Sequence, residues 1–331
     1  MSATLRRREF ITLLGGAAAW PLAARAQQPA MLRIGVLEPL ATNDDEAQPR
    51  VTAFEERLRE LGWVNGQNVH IDYRWAPGET ARIRAATELV SLKPDVIVAS
   101  STPAVMVLRA ETRAIPILFV QVTDPVAAGL ATSLARPGGN ITGVTNFEFS
   151  MGGKWLETLK EISPQIARVA VLYDPSTAPY AGLLLSSIAA AAPSLAMETV
   201  ETPVQDVTET ERAIEAFAQK SNGGLLVLPD AGTTVRRDII ITRTAQHRLP
   251  AIYPLRSFAV SGGLASYGIN PIQAHRQIAF YVDRILRGTK PEELPIQAPN
   301  RFELIINLKT AKALGLQVPD RLLALADEVI E

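Results

Sequence analysis

The sequence contains no cysteine, so disulfide bonds contribute nothing to its stability. The absence of cysteine also excludes the lipid anchor of a lipoprotein. A chain of this kind depends on a large hydrophobic core instead of cross-links. Apolar residues make up 47% and charged residues 20% of the chain, a composition typical of globular proteins and not of disordered or fibrous ones.

The chain also has little net charge of either sign. Its formal charge is −1, and the first 26 residues hold four arginines and one glutamate, so the remainder carries about −4. Such a balance predicts no basic surface that would attract nucleic acid or anionic lipid. We therefore expect no nucleic-acid partner.

Long hydrophobic runs are missing as well. The most uniformly apolar stretch, residues 10–24, has 15 residues, fewer than the roughly 20 that a helix needs to cross a bilayer. It follows the basic segment Arg6-Arg7-Arg8 and leads into Ala24-Arg25-Ala26, an order typical of an export signal. We predict a cleavable signal over residues 1–26, cleavage near Ala26, and a mature protein in the periplasm without membrane insertion.

The export route has two interpretations. The segment Arg7-Arg8-Glu9-Phe10-Ile11 is similar to the twin-arginine motif of bacterial Tat signals, which implies export after folding. An ordinary Sec leader with a basic start is the alternative.

After the leader, short β-branched runs alternate with longer amphipathic stretches, a pattern that predicts βαβ units and a buried parallel sheet. Strands are expected at 32–37, 68–73 and 95–100, and a helix over 51–61. The run at 95–100 is continuously apolar, as in a strand covered on both faces. The fold class is therefore α/β and doubly wound.

The pattern begins again after residue 150. Residues 33–37 and 168–172 are similar strands, and each leads into a proline-containing loop. About 305 residues remain after the leader, a length typical of roughly two domains. We predict two lobes joined by several short crossings, with residues 31–146 and about 270–297 in the first lobe and 147–269 and about 298–331 in the second. The glycine-bounded segment 262–268 is predicted to pass between the lobes.

The chain has few residues of the kinds that catalysis or metal binding would need. Only three histidines occur, and none has a metal-ligand spacing such as H-E-x-x-H. No G-x-S-x-G motif is present, and no glycine-rich loop opens a helix. We predict no enzyme, no catalytic residues, no metal and no cofactor.

Polar and aromatic residues follow several predicted strands, and ligands of open parallel sheets bind beyond the carboxyl ends of strands. These residues are the candidate ligand-binding site. The first-lobe candidates are Glu38, Thr42, Trp75, Ser100, Ser101, Thr102, Gln121, Thr123 and Asp124, and the second-lobe candidates are Tyr173, Asp174, Ser176, Asp230 and Tyr267.

The candidates suggest a ligand with a carboxylate. Ser100, Ser101 and Thr102 precede a predicted helix, whose N-terminus and hydroxyl groups favour an anion. Asp230 is placed to pair with a ligand ammonium, and the aromatic side chains are placed to pack on a ring. Helix capping by the hydroxyls and by Asp230, and a structural role for Asp124, are the alternatives. The ligand is then an amino acid, or an aromatic or aliphatic acid without the ammonium.

Several ordered motifs resemble one family, the ABC-transporter substrate-binding proteins of type I periplasmic fold, in the branch that includes tryptophan and tyrosine transport components. The motifs lie at residues 60–69 (ELGWVNGQNV), 73–76 (YRWA), 124–126 (DPV), 136–144 (RPGGNITGV), 263–268 (GLASYG) and 306–316 (INLKTAKALGL).

The resemblance covers nearly the whole mature chain, and it implies capture of a small-molecule ligand by hinge closure. It also implies partnership with an ABC permease and its ATPase, and an acidic residue near Asp230 in the amino-acid binders. We expect the protein to act as a monomer. A periplasmic sensing domain and an exported enzyme are the alternative functions.

Overall fold

A computed structural model describes residues 31–44, 46–146, 151–299 and 301–331. The predicted export signal lies outside the described residues. In this part of the chain, no helix is long and apolar enough to cross a membrane.

Two β-sheets organise the chain, and their strands follow one another in sequence. The strands of the first sheet are β1 (Leu32–Glu38), β2 (Val69–Trp75), β3 (Val96–Ser100), β4 (Ile117–Val122) and β5 (Ile141–Thr145). Those of the second are β6 (Arg168–Tyr173), β7 (Glu198–Pro203), β8 (Gly223–Val227), β9 (Ala251–Tyr253), β10 (Ala265–Gly268), β11 (Glu303–Asn307) and β12 (Glu328–Ile330).

Helices alternate with these strands. They are α1 (Ala47–Glu60), α2 (Glu79–Ser91), α3 (Thr102–Glu111), α4 (Met151–Ile162), α5 (Ala181–Ala191), α6 (Val207–Ala218), α7 (Ala231–Val235), α8 (Arg237–Gln246), α9 (Arg256–Val260), α10 (Pro271–Leu286), α11 (Leu308–Leu314) and α12 (Asp320–Leu325).

The first sheet has the strand order β2-β1-β3-β4-β5, and each neighbouring pair is parallel. Strand β3 is buried along its whole length, as its continuous apolar run predicted. The second sheet has the order β12-β11-β10-β9-β8-β6-β7 and is parallel except where β10 meets β11. Both orders place the first strand of the sheet inside it, which confirms the doubly wound α/β class.

Helix α10 connects the two halves of the chain. It follows β10 of the second sheet, yet Ile278 and Val282 on its buried face pack with Ile34 and Val36 of β1 in the first sheet. The chain then returns to the second sheet at β11. We call the first sheet with α1, α2, α3 and α10 the first lobe, and the second sheet with its helices the second lobe. The lobe bounds predicted from the sequence stay a proposal.

The glycine-bounded segment 262–268 is not a passage between the lobes, so that prediction was wrong. Ala265 and Ser266 pair with Ile252 and Tyr253 of β9, and the other edge of β10 pairs with β11. Gly263 lies so close to Tyr253 and the Phe258 carbonyl that a Cβ atom there would be 2.5 and 2.7 Å from them. The glycine therefore permits close packing inside the sheet.

Candidate ligand-binding cleft

A cleft lies between the two lobes and contains two neighbouring cavities. The outer cavity has a volume of about 1200 Å³, and the inner one about 50 Å³. Thr102 of the first lobe and Thr177, Tyr180 and Ala231 of the second line both cavities. Because the carboxyl ends of strands from both sheets meet here, the inner cavity is surrounded by strand-end loops.

Two residues of the first-lobe wall have backbone conformations that are uncommon outside glycine. Ser101, which follows β3, has φ 85°, and Gln121, in β4, has φ 60°. Such conformations persist only where the surrounding structure imposes them, and they concentrate at functional sites. Both residues line the inner cavity.

The hydroxyl groups at the start of α3 do not cap that helix. Ser101 is its N-cap residue but makes no side-chain cap hydrogen bond. The buried Ser101 Oγ and Thr102 Oγ1 have no hydrogen-bond partner among the described residues. Buried polar atoms are nearly always paired in folded proteins, so unpaired hydroxyls beside a cavity mark a place where a ligand supplies the partner. The capping alternative therefore fails for Ser101.

Arg50 is a site residue that the sequence analysis missed. It is 3% exposed, and its guanidinium donates to Gln121 Oε1 at 3.0 Å and to Glu46 Oε2 at 2.6 Å. Its Nε has no partner within the described chain, and the residue lines the inner cavity. The signal was present: Arg50 lies four residues before Phe54, on the apolar stripe of α1. An arginine on that stripe is buried and needs a partner.

Asp230 forms the opposite wall of the inner cavity. It caps α7 by accepting from the Thr233 N–H at 2.7 Å, and it also accepts from the Thr177 hydroxyl at 3.0 Å and the Asp174 N–H at 3.2 Å. Burial raises the pKa of Asp230 to about 6, and the neighbouring Asp174 charge acts in the same direction, against the three hydrogen bonds. Asp230 therefore combines the capping role with a position on the cavity.

Asp174 and Ser176 lie in the outer cavity, as part of a compact polar cluster. Asp174 accepts from the Ser176 hydroxyl at 2.6 Å and from Arg236 Nη2 at 2.9 Å. Gly232 packs directly against this carboxylate, since a Cβ atom there would be 2.3 Å from Asp174 Oδ2. The cluster therefore requires glycine at the start of α7.

Glu38 and Ser100 lie behind the cavities rather than on them, because both are at most 2% exposed. The Ser100 hydroxyl donates to Glu38 Oε1 at 2.6 Å, and His275 Nε2 lies 3.4 Å from the same oxygen. Burial raises the pKa of Glu38, but hydrogen bonds from His275 and Ser100 and the charge of Arg50 outweigh it and hold that pKa below its ordinary value. The three side chains form an internal network that supports the cleft floor.

This network contains a serine, a histidine and a carboxylate, but not in the arrangement of a hydrolase. His275 Nδ1 lies 2.8 Å from the Pro271 carbonyl, while Nε2 faces both Glu38 and Ser100, the latter at 3.5 Å. In a catalytic triad the carboxylate orients the histidine through Nδ1 and the serine is presented to substrate. Ser100 instead is fully buried and donates to the carboxylate.

The remaining candidates line neither cavity. Thr42 is exposed, Thr123 is buried, Trp75 stacks on Tyr73 with ring centroids 6.1 Å apart, and Tyr173 packs on the second-lobe core. Asp124 caps a turn by accepting from the Val126 and Ala127 N–H groups at 3.0 and 2.9 Å, as the structural alternative predicted. Tyr267 lies in β10 against Phe302, with ring centroids 5.9 Å apart.

The aromatic side chain at the cavities is Tyr180, which sequence analysis did not select. It is 9% exposed and lines both the inner and the outer cavity, as does Thr177. Asn146, which directly follows β5, also lines the inner cavity, and its buried Oδ1 has no partner among the described residues. A polar residue after a buried strand was a usable signal for Asn146. Tyr180 had no comparable signal, because it lies in a loop seven residues beyond β6.

Similar proteins agree with this architecture. The chain is 30% identical over 266 residues to the tyrosine-binding protein of Clostridioides difficile (strain R20291), covering 80% of this chain and 76% of that protein. It overlays with a TM-score of 0.84 on a Streptococcus pneumoniae protein in complex with L-Trp, at 23% identity, with 91% of this chain and all of that chain covered.

A third similar protein has been solved in a ligand-free, open state. It is a substrate-binding protein with adhesive properties from Clostridium difficile, 26% identical, with a TM-score of 0.68 and coverage of 90% of this chain and 99% of that chain. Residues 33–330 match the family described as ABC transporter substrate binding protein. The chain therefore belongs to the ABC transporter substrate-binding proteins, which bind small-molecule ligands outside the cytoplasm and work with ABC permeases.

Proposed function

We propose that this protein is the solute-binding component of an ABC importer and that it captures an α-amino acid with an apolar or aromatic side chain. The observation that carries the proposal is the inner cavity, where Asp230 faces Ser101, Thr102 and Arg50 across the cleft. An acidic group on one side and unpaired donors on the other match the two charges of an amino-acid head group. The tyrosine-binding relative supports the same ligand class.

The carboxylate of the ligand is assigned to the first-lobe wall. The donors on this wall are the Ser101 and Thr102 hydroxyls, the N-terminus of α3 and the Arg50 Nε, with which no described residue pairs. Anions are favoured at helix N-termini. The ammonium is assigned to Asp230, whose burial makes its charge costly without a partner. Each charge of the ligand thus satisfies a group that the protein leaves incompletely paired.

The ligand side chain is assigned to the outer cavity. At about 50 Å³, the inner cavity is far smaller than the roughly 300 Å³ or more of usual ligand pockets. The inner cavity accommodates a head group. The ligand side chain passes outward through the boundary between the two cavities, which is formed by Thr102, Thr177, Tyr180 and Ala231. Tyr180 offers an aromatic surface for that side chain at the boundary.

Closure of the two lobes over the ligand is supported by an ion pair between them. Arg237 of the second lobe lies 3.3 Å from Asp44 of the first, and both side chains are mostly buried. Contacts from both lobes to one ligand stabilise the closed state, as hinge closure requires.

Replacing Asp44 by asparagine is expected to weaken amino-acid binding about fivefold, because a partly buried ion pair contributes about 1 kcal/mol to the closed state. Isothermal titration calorimetry measures the affinity, and small-angle scattering measures compaction. Asp238→Asn is the matched control, since Asp238 also contacts Arg237, at 3.6 Å, but is 78% exposed and on the same helix. Equal losses in the two variants would contradict a latch between the lobes.

As the pH is raised toward 6, amino-acid affinity is expected to increase about tenfold per pH unit. Above about pH 6 the affinity is expected to level off. Asp230 has a pKa of about 6 in the free protein, and an ammonium partner favours its charged form, so binding at low pH must release a proton. The flanking charges, Asp174 and Arg236, are already paired with each other. Titration between about pH 5 and pH 7 in buffers of different ionisation enthalpy measures the proton release. A ligand without an ammonium is the control and should release none.

The test of the proposed function is calorimetry of the purified protein with L-tyrosine, L-phenylalanine and L-leucine. Two analogues of phenylalanine are matched controls: 3-phenylpropionate lacks the ammonium, and phenethylamine lacks the carboxylate. We expect the amino acids to bind and each analogue to lose about 100-fold in affinity, because each leaves a buried group unpaired. If 3-phenylpropionate binds as tightly as phenylalanine, the ligand is an organic acid and the assignment to Asp230 is wrong.

A further inference from the structure

Arg82 is a buried cation that forms no close ion pair with any of the described residues, although the charge of Glu79 acts on it. It belongs to α2 and is 6% exposed. No ion pair within 4 Å and no side-chain hydrogen bond joins it to the described part of the chain, and its buried Nε has no partner there. Glu79, one turn earlier on the same helix, is exposed. Burial lowers the pKa of Arg82, yet an arginine keeps its charge in proteins.

The unpaired guanidinium belongs to the outer cavity, because Arg82 is one of the residues that line it. Buried charges in folded proteins are paired or bind a ligand, since an isolated charge is costly to remove from water. Binding of an anionic ligand group beside Arg82 is therefore expected to be favourable.

The second arginine of the outer cavity differs from Arg82 in this respect. Arg236 of the second lobe donates to Asp174 at 2.9 Å and to the Gln205 carbonyl at 2.9 Å, so its charge is compensated. Glu79 of the first lobe also lines the outer cavity and acts on Arg82 through its charge, but no ion pair within 4 Å joins the two. Arg82 itself lines the outer cavity and not the inner one.

The walls of the outer cavity also include apolar side chains. Met106 of α3, Leu183 of α5 and Val235 of α7 line it and are between 44% and 52% exposed. Exposed apolar side chains gathered in one cleft are typical of a binding surface. The outer cavity thus offers apolar contacts together with an arginine whose buried Nε has no partner in the described part of the chain.

We propose that the outer cavity is a second subsite in which Arg82 receives a distal anionic group, carboxylate or phosphate, on the apolar side chain of the bound amino acid. This inference rests on the proposed function, because the head group in the inner cavity directs the side chain outward. A planar guanidinium matches a carboxylate or phosphate with paired hydrogen bonds.

The experiment compares matched side chains by calorimetry. The ligands are L-phenylalanine, 4-carboxy-L-phenylalanine, its neutral isostere 4-carbamoyl-L-phenylalanine, and O-phospho-L-tyrosine. We expect the wild-type protein to bind the carboxy compound about tenfold more tightly than the carbamoyl compound, because only the former supplies a charge-assisted partner. A comparable preference for the phospho compound over L-tyrosine would identify phosphate as the distal group, and its absence would leave carboxylate.

Two variants test whether Arg82 causes the preference for an anionic side chain. Arg82→Gln should remove it, and Arg84→Gln should retain it, since Arg84 is exposed on the same helix and lines neither cavity. If Arg82→Gln does not fold, the comparison of the two isosteres on the wild-type protein still decides the question. Phenylalanine binding without any preference for an anionic side chain would overturn this subsite and leave the proposed function intact. Failure of every amino acid to bind would overturn both.

Discussion

Replacing Asp230 by asparagine is expected to weaken L-tyrosine binding by about 100-fold, or about 2.7 kcal/mol, because it removes a buried charge that faces the ligand ammonium. Asparagine has the same shape as aspartate, and its side-chain oxygen can still accept from the Thr233 N–H, which is the hydrogen bond that caps α7. Calorimetry with tyrosine and with deamino-tyrosine, which lacks the ammonium, measures the effect. The deamino compound should lose little or no affinity.

The same substitution should change how the stability of the protein depends on pH. Burial raises the pKa of Asp230 to about 6 in the folded protein, above the 3.8 of an ordinary aspartate. The folded state therefore binds the proton more strongly, and the contribution of this group to stability falls as the pH rises through that interval. Asparagine does not titrate, so the variant should lack this fall in stability, and thermal denaturation at several pH values between about 4 and 7 measures the difference.

A second capping aspartate provides the matched control. Asp206 caps α6 by accepting from the Glu209 N–H at 2.8 Å, but it is exposed and lines neither cavity. Asp206→Asn should leave tyrosine affinity unchanged. Tyrosine affinity that survives Asp230→Asn would contradict the assignment of the ammonium.

Replacing Arg50 by glutamine is expected to weaken binding of amino acids by about 100-fold, because the ligand carboxylate loses a charged donor in a buried site. The inner-cavity position of Arg50 and its unpaired Nε are the basis of this expectation. Phenethylamine, which has no carboxylate, should bind the variant and the wild-type protein equally weakly. Arg59→Gln is the control, since Arg59 is exposed on the same helix.

The two parts of this expectation are separable. Arg50 also holds Glu46 and Gln121 through hydrogen bonds, so Arg50→Gln should lower the thermal midpoint of the free protein as well. If the thermal midpoint falls and the tyrosine affinity does not change, Arg50 only supports the wall of the inner cavity. Loss of affinity for tyrosine and not for phenethylamine would show that it recognises the carboxylate.

Much of the fold was predictable because its signals are local in sequence. A strand covered on both faces is apolar at nearly every position, and residues 96–99 follow this pattern within the central β3. The parallel class, the strand positions near 32–37 and 168–172 and the doubly wound order follow from the same periodicity. The cleft position also follows, since it lies beyond strand ends in any open α/β sheet.

Sequence proximity to a strand end was a less reliable guide to the site itself. Ser101, Thr102, Gln121 and Asp230 do line the inner cavity, but Glu38 and Ser100, at equivalent strand ends, are buried behind it. The difference depends on the side of the sheet on which each side chain lies. It also depends on His275 of α10, which contacts Ser100 and Glu38. Those contacts join residues more than 170 positions apart in the chain.

The sequence by itself determined the α/β class, the parallel strands and the strand-end position of the site, because each rests on patterns within a few consecutive residues. Only the tertiary structure decided the place of β10 inside the second sheet and the presence of Tyr180 and Arg82 in the cleft. Burial and pairing across two lobes are properties of distant contacts, and no local pattern encodes them.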